Sequence, residues 1–176
     1  GNVGDKVEIA SGGSYVIRFQ DTGFWLAKYA ARKGYHKPTG TIALNYCNNL
    51  RIFRYAETLL AYAELVGVEG VAEQKGISAQ QCLDMVRDRA FGDTNHRVAV
   101  NKQNIINENH YEFVGEGHRY YDVVRWGITE VLNVGNVPGI NSARTWKSHN
   151  KYVAIPQGDI DATKGTEFEL KQNEGY

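Results

Sequence analysis

Closely spaced carboxylates are the feature of this sequence that most suggests chemistry. Glycoside hydrolysis uses two carboxyl groups about 5 to 9.5 Å apart. Glu57 and Glu64 share one flank of a predicted helix. Seven residues at about 1.5 Å each put them roughly 10.5 Å apart along the axis, too far for the retaining geometry. Glu108 and Glu112 are one turn apart but lie against an apolar stripe in arginine-rich surroundings. We therefore expect no enzyme activity.

A structural role explains the same charges better. We expect the acidic residues and arginines to pair where helices meet, in a charge network of Arg54, Glu57, Glu64, Arg89, Glu112, Glu116, Arg119, Asp122 and Arg125, with Arg87 as a further partner. Arg89 falls within the apolar stripe of its helix. An arginine buried without a partner is very costly, so Arg89 either reaches solvent from the helix end or meets a carboxylate.

Neither the histidines nor the cysteines have the spacing of a metal site. Helical zinc motifs place two histidines four residues apart on one face, whereas His110 and His118 are eight apart across a glycine-containing corner. Cys47 and Cys82 form no CxxC pair. Cys82 lies on an apolar helical stripe and is predicted to be a core residue, and a Cys47–Cys82 disulfide stays open. We expect no metal or other cofactor.

Flat aromatic side chains are the other group with binding chemistry, because they stack on sugar rings. Trp25, Tyr35 and Trp146 lie outside the predicted helical stripes and are the candidate ligand-binding residues. The same pattern is compatible with packing, which is the commoner role for any one of them.

Two predicted helices position most of these groups around a Gly-Glu-Gly corner. The segment Glu108–Gly127 places Gly115 and Gly117 on either side of Glu116. Glycine accepts the left-handed backbone that ends a helix. One apolar face leads into the corner and a second leads out of it; their members are Ile105, Ile106, Asn109 and Phe113 for the first, and Tyr121, Val124, Ile128 and Leu132 for the second.

Two earlier helices precede this corner. Leu50–Val66 has an apolar face wide enough to need neighbours on more than one side. Ser78 with Gln81 predicts a capping box that opens a helix ending at Ala90, before Gly92. Helix pairs joined by short turns favour a mainly α, tetratricopeptide-like fold, although the repeat consensus itself is absent.

The remaining segments are predicted to be loops with a few short strands. Residues 1–13 read as a loose lead-in, Ser14–Phe19 alternates like a short strand, and Phe24–Ala31 fits a strand or a helical turn equally. Asn133–Asn150 reads as a long loop, and Tyr152–Ile155 as a short strand before a polar tail. We divide the chain into a lead-in (1–48), a helical core (49–132) and a loop with the C-terminal tail (133–176).

Three motifs in order resemble the signature of the SusD/RagB family of surface glycan-binding lipoproteins. They are the pattern ExxxEFxxEGHRYYDxxRWG from Glu108 to Gly127, RYAETLLAYAEL from Arg54 to Leu65, and IP…D…QNEGY from Ile155 to Tyr176. The chain departs from the family at Asn109, where an arginine is common, and at Gly115, where a bulky apolar residue is usual. These departures affect one local ion pair rather than the resemblance.

The resemblance implies a SusD-like C-terminal part that binds oligosaccharide without catalysis and delivers it to a SusC-like TonB-dependent porin. It also implies a surface-exposed lipoprotein of the outer membrane, whose lipid anchor and much of whose sugar-contacting surface lie in an N-terminal part preceding these residues. A helical scaffold for protein partners is the alternative, and a carboxylate glycosidase is less favoured.

Composition fits this interpretation without requiring it. The chain has 176 residues, and its 20 basic and 20 acidic side chains cancel. Nothing in that balance attracts nucleic acid. The chain has eleven tyrosines and one methionine. Tyrosine is common in hydrated interfaces, but it is equally suited to an ordinary hydrophobic core.

Overall fold

The computed structural model describes residues 5–8, 14–16, 26–29, 49–135 and 143–176, and these fall into two compact units. The first unit contains the described residues up to Arg119, and the second contains those from Tyr120 to Tyr176. Trp25, Tyr35 and Cys47 lie outside the described residues, as does the second half of the predicted strand Ser14–Phe19.

Helices are the main regular secondary structure of the described residues, which confirms the predicted mainly α, tetratricopeptide-like class. The α-helices are α1 (Tyr55–Gly67), α2 (Ala79–Phe91), α3 (Lys102–Glu112), α4 (Arg119–Trp126) and α5 (Gln157–Thr163). Single 3-10 turns lie at Ala27–Tyr29, Thr129–Leu132 and Ser148–Lys151. The strands β1 (Lys6–Glu8) and β2 (Ser14–Val16) pair antiparallel, with Val7 opposite Tyr15.

The core of the first unit forms where α1 packs against α2 and α3. Its buried residues recur every three or four positions, as expected for helices with one apolar face. They are Ala56, Leu59, Leu60 and Ala63 of α1, Ala79, Cys82, Leu83 and Val86 of α2, and Ile105 and Phe113 at the two ends of the α3 segment. Cys82 carries a free thiol, and burial raises the pKa of that thiol.

The ends of α2 agree with the local signals in its sequence. The Ser78 hydroxyl accepts a hydrogen bond from the Gln81 backbone N–H at 3.1 Å, and the Ser78 N–H donates to the Gln81 side chain at 2.8 Å. Gly92 closes the helix in the left-handed conformation, with φ of 76°. The predicted capping box and glycine stop are confirmed.

The predicted start of α1 at Leu50 is wrong. The helix begins at Tyr55, after Arg54 in an extended conformation without a side-chain cap. Ile52 and Phe53 therefore do not belong to the apolar face of α1, and they are 84% and 66% exposed. Apolar spacing alone extended the prediction one turn too far, since spacing carries no information about the terminus.

The predicted corner is present, but the face leading out of it differs. Gly115 and Gly117 both adopt left-handed conformations, with φ of 77° and 85°. Tyr121 of the predicted outgoing face is 75% exposed, while Val123 is fully buried. Val124, Ile128 and Leu132 of the predicted face are half-buried, so Tyr121 is the exposed member of that face.

Three further segments correct the sequence predictions, whereas Phe24–Ala31 contains the 3-10 turn Ala27–Tyr29, which fits the helical-turn alternative given for it. Residues 1–13, predicted as a loose lead-in, contain β1. Tyr152–Ile155 is not a strand. Its backbone groups bond to tail side chains instead, for example Ile155 N–H to Gln172 Oε1 at 2.9 Å. The polar tail also contains the helix α5.

No helix within the described part of the chain has the length and apolar character to span a membrane.

Candidate functional site

Arg54 lies at the centre of a dense polar cluster among the described residues of the first unit. Its position just before α1 directs the guanidinium toward the corner after α3, where it donates to Glu116 from Nε at 2.7 Å and from Nη2 at 2.8 Å. Nη1 donates to Glu112. The guanidinium carbon also lies 4.7 Å from the centre of the Phe113 ring. Arg54 therefore joins α1 to the corner through charge-assisted hydrogen bonds and a cation–π contact.

Glu116 is the most buried carboxylate of this cluster, with a side chain only 2% exposed. Besides the two bonds from Arg54, it accepts one from Lys28 Nζ at 2.5 Å. Burial by itself would raise the pKa of Glu116, but the hydrogen bonds and charges of Arg54 and Lys28 outweigh it and lower that pKa to about 2. The carboxylate is therefore ionised at neutral pH and cannot serve as a proton donor.

Glu112 bridges Arg54, which lies just before α1, and Arg89 of α2. In addition to Arg54, it accepts a hydrogen bond from Arg89 Nη2 at 2.6 Å. The Glu112 side chain is 9% exposed, whereas that of Arg89 is 60% exposed. Arg89 thus combines the two outcomes expected from its position, because it reaches solvent and also meets a carboxylate.

A second buried pair joins α2 to α3. Arg87 Nη1 donates to Glu108, and both side chains are largely buried. Arg87 Nε also donates to the His96 backbone carbonyl, and its guanidinium carbon lies 5.2 Å from the centre of the Phe91 ring. Glu108 is therefore a partner of Arg87 rather than a free carboxyl group.

Other residues of the predicted charge network lie outside these pairs. Glu57 Oε1 is 3.9 Å from His118 Nδ1. Glu64 is buried on α1. In the second unit, Arg125 donates to Asp122 at 3.3 Å. The buried Nη1 of Arg119 has no hydrogen-bond partner among the described residues.

The histidines that the structure describes make contacts other than a cluster of metal ligands. No group of three histidine, cysteine or carboxylate ligands occurs in the described part of the chain. His118 instead stacks on Phe113, with ring centres 4.6 Å apart. Partial burial and the positive charge of Arg119 lower the pKa of His110.

Described residues of the first unit line two open cavities, and no sequence motif indicated either. A polar cavity of about 300 Å³ is lined by Lys28, Arg51, Arg54, Arg89, Ala90, Tyr111, Glu112 and Glu116. An apolar groove of about 390 Å³ between α1 and α2 is lined by Arg54, Tyr55, Ala56, Leu59, Met85, Val86 and Arg89. Sequence reasoning missed Lys28, because a lysine in a short turn shows no local sign of pairing with a residue 88 positions away.

Trp146 is the one predicted ligand-binding aromatic within the described residues. It lies half-buried in the second unit, and its backbone N–H donates to Asn133 Oδ1 at 2.8 Å. Its indole Nε1 is buried without a hydrogen-bond partner in the described structure. The ligand-binding role of Trp146, like that of Trp25 and Tyr35, remains a prediction.

Comparison with known proteins identifies the family. The model of the SusD family matches residues 11–176, nearly the whole chain. The chain belongs to the SusD family. A curated SusD-like member, SusD-like protein P25 of Formosa agariphila, is 33% identical over 91 residues, which cover 48% of this chain and 16% of that protein.

Solved structures of SusD-like relatives share the fold. Surface glycan-binding protein A from Bacteroides fluxus is 55% identical, with a TM-score of 0.81 over 94% of this chain and 35% of its own length. Surface glycan-binding protein A from Bacteroides thetaiotaomicron, in complex with laminarihexaose, is 42% identical, with a TM-score of 0.75 over 92% of this chain and 32% of its own. The chain thus spans about a third of the length of these structures.

Proposed function

We propose that this chain is part of a non-catalytic protein that binds oligosaccharide at the outer-membrane surface. The observation that carries the proposal is the similarity of 94% of the chain, at 55% identity, to a surface glycan-binding protein. A second similar protein forms a complex with laminarihexaose. The proposed protein is a surface-exposed lipoprotein that passes its ligand to a SusC-like TonB-dependent porin.

The geometry of the carboxylates supports binding without catalysis. Glycoside hydrolysis needs one carboxyl group that can donate a proton and a second that is free to attack or to activate water. Glu116 stays ionised, and Glu108 and Glu112 are held by arginine side chains. These contacts join helices, and each carboxylate already accepts charge-assisted hydrogen bonds. They therefore support a structural role for the corner.

Calorimetric titration of the 176-residue chain with laminarihexaose tests the proposal. We expect measurable binding, weakened about tenfold by Trp146→Ala because a stacked aromatic contributes on the order of 1 kcal/mol. Trp25→Ala and Tyr35→Ala test the other two candidates. Phe168→Ala is the matched control, since Phe168 is an aromatic of the tail that is 74% exposed.

Two results would contradict this assignment. Unchanged affinity in all three aromatic variants would remove them from the binding site, and a lowered melting temperature of Trp146→Ala would show a packing role.

A reducing-end assay on the same samples is expected to show no sugar release. Release that a single Glu→Gln change abolishes would establish an enzyme instead.

A helical scaffold for protein partners is the second candidate, and the apolar groove between α1 and α2 favours it. Tyr55 and Met85 line this groove and are 64% and 43% exposed. Exposed apolar surface of this kind is typical of protein interfaces. Absence of oligosaccharide binding together with specific association through the groove would favour the scaffold.

A further inference from the structure

The polar cavity on the first unit contains more positive charge than its own carboxylates neutralise. Four basic residues line it, namely Lys28, Arg51, Arg54 and Arg89, against the two carboxylates Glu112 and Glu116. Both carboxylates already accept hydrogen bonds from basic side chains of the same cavity. Two positive charges are therefore left over, and a cavity with such an excess attracts anions.

Arg51 is one source of this excess. Its guanidinium carbon lies 5.4 Å from the centre of the Tyr29 ring. No carboxylate pairs with Arg51 among the described residues. The guanidinium of Arg51 thus lies over an aromatic face and keeps donors for the oxygens of an anionic group, which arginine is suited to bind with two parallel hydrogen bonds.

Arg89 is the other source. Only its Nη2 donates to Glu112, and the remaining guanidinium nitrogens have no acceptor in the described part of the chain. With the side chain 60% exposed, these donors are accessible from the cavity mouth. Two arginines with unused donors therefore line one cavity.

Tyr111 supplies a surface of a different kind to the same cavity. It is 66% exposed, so the ring offers apolar area beside the two guanidinium groups. The volume of about 300 Å³ is at the lower end of small-ligand pockets and suits one sugar residue better than a folded peptide. An exposed ring beside cationic donors matches a pyranose that carries an anionic substituent.

We propose that this cavity binds an acidic sugar residue, one whose ring carries a carboxylate or a sulfate ester. The anionic group lies between Arg51 and Arg89, and the apolar face of the sugar packs on Tyr111. The inference rests on the proposed glycan-binding function and deepens it, because it adds a charged subsite to a protein whose relative is known with a neutral glucan oligosaccharide.

Nuclear magnetic resonance titration of the 176-residue chain tests the proposal with three sugars. Glucuronate and glucose 6-sulfate differ from glucose only in the acidic group. We expect at least one acidic sugar to bind about tenfold more tightly than glucose, as expected for one charge-assisted contact, and to shift the Arg51 and Arg89 side-chain Nε–H signals. Binding should weaken as salt is raised, because salt screens exposed charges.

Variants assign the contacts. Arg51→Gln and Arg89→Gln are each expected to weaken binding of the acidic sugar about tenfold, and Tyr111→Ala to weaken all three sugars. Lys102→Gln is the matched control, because it removes one positive charge from an exposed side chain outside the cavity. Tyr111→Phe keeps the ring and should bind as the unmodified chain does.

Several outcomes would overturn the proposal. They are equal affinity for glucose and both acidic sugars, no effect of either arginine variant, or competition by acetate or a triglutamate peptide as strong as that by glucuronate. Laminarihexaose titration of the same samples separates the two claims. Its binding with no acidic-sugar preference removes only this inference, whereas an acidic-sugar site without laminarihexaose binding counts against the laminarihexaose binding expected under the proposed function.

Discussion

At the scale of single residues, Glu116 is the central acceptor of charged hydrogen bonds at the corner. It accepts three hydrogen bonds from Arg54 and Lys28 while its side chain is 2% exposed. Its pKa falls from 4.5 to about 2, because those bonds outweigh the cost of burial. A difference of this size corresponds to about 3 kcal/mol of folding free energy at neutral pH.

We predict that Glu116→Gln lowers the free energy of unfolding at pH 7 by about 3 kcal/mol, since it removes the charge that Arg54 and Lys28 surround. The pKa of Glu116 is lowered in the folded state. Its stabilisation is therefore fully present above about pH 4.5 and is lost as the pH falls toward 2. Urea unfolding at several pH values should show the difference between variant and parent shrinking across that interval.

Glu73→Gln is the control for this measurement, because Glu73 is an exposed glutamate on the same unit. It should change stability by less than about 0.5 kcal/mol. A Glu116→Gln protein as stable as the parent at pH 7, or a difference that does not vary below pH 4.5, would show that the cluster does not stabilise the fold.

The ionic pairs at the corner show which structural features a sequence pattern predicts and which it does not. The sequence shows that arginines and glutamates are abundant around the corner, which favours pairing between them. It does not show that Arg54 holds both Glu112 and Glu116, nor that Lys28 joins them from a separate 3-10 turn. Which charged residues pair depends on how distant segments of the chain pack. The spacing of residues within one segment does not contain that information.

At the scale of elements, the predicted end of a helix is accurate where residues close to it in sequence cap the helix. Ser78, Gln81 and Gly92 hold specific backbone groups at the ends of α2, so the predicted helix is nearly correct. The start of α1 has no side-chain cap, and its predicted start was wrong. Tyr152–Ile155 was predicted to be a short strand that stops at Pro156. Gln172 instead bonds both the N–H and the carbonyl of Ile155 and replaces a neighbouring strand.

The two glycines of the corner give a matched test of why glycine is needed there. Both have positive φ, so an alanine at either site is strained by about 1 to 2 kcal/mol. A Cβ at Gly115 would also lie 2.1 Å from Leu26 Cδ2, whereas one at Gly117 would meet nothing within 4 Å. We predict that Gly117→Ala costs about 1 to 2 kcal/mol in thermal or urea unfolding and that Gly115→Ala costs more.

The difference between the two variants is the informative quantity. The Leu26 side chain is 38% exposed and can move, which keeps the additional cost modest. Leu26→Ala in the Gly115→Ala background should remove the clash and bring the two glycine variants closer together. Equal stability of the two single variants would show that backbone strain alone requires glycine at Gly115.

At the scale of the whole molecule, the described structure leaves apolar surface on its best-packed helices. The sequence predicted a face on α1 too wide for one neighbour. In the structure, α1 packs on both α2 and α3, yet Tyr55 and Met85 remain exposed along the groove between α1 and α2. Net charge close to zero adds no repulsion between copies of the chain. These two properties together favour association at high concentration.

We predict that the 176-residue chain self-associates reversibly and that Met85→Glu weakens this association at least about tenfold, since it places a charge in the apolar groove. Sedimentation velocity over a range of concentrations measures the effect. Leu65→Glu is the matched control, because Leu65 is a 51% exposed apolar residue of α1 that does not line the groove. A monomer at every concentration, or equal loss of association in both variants, would show that the groove does not drive contact between copies.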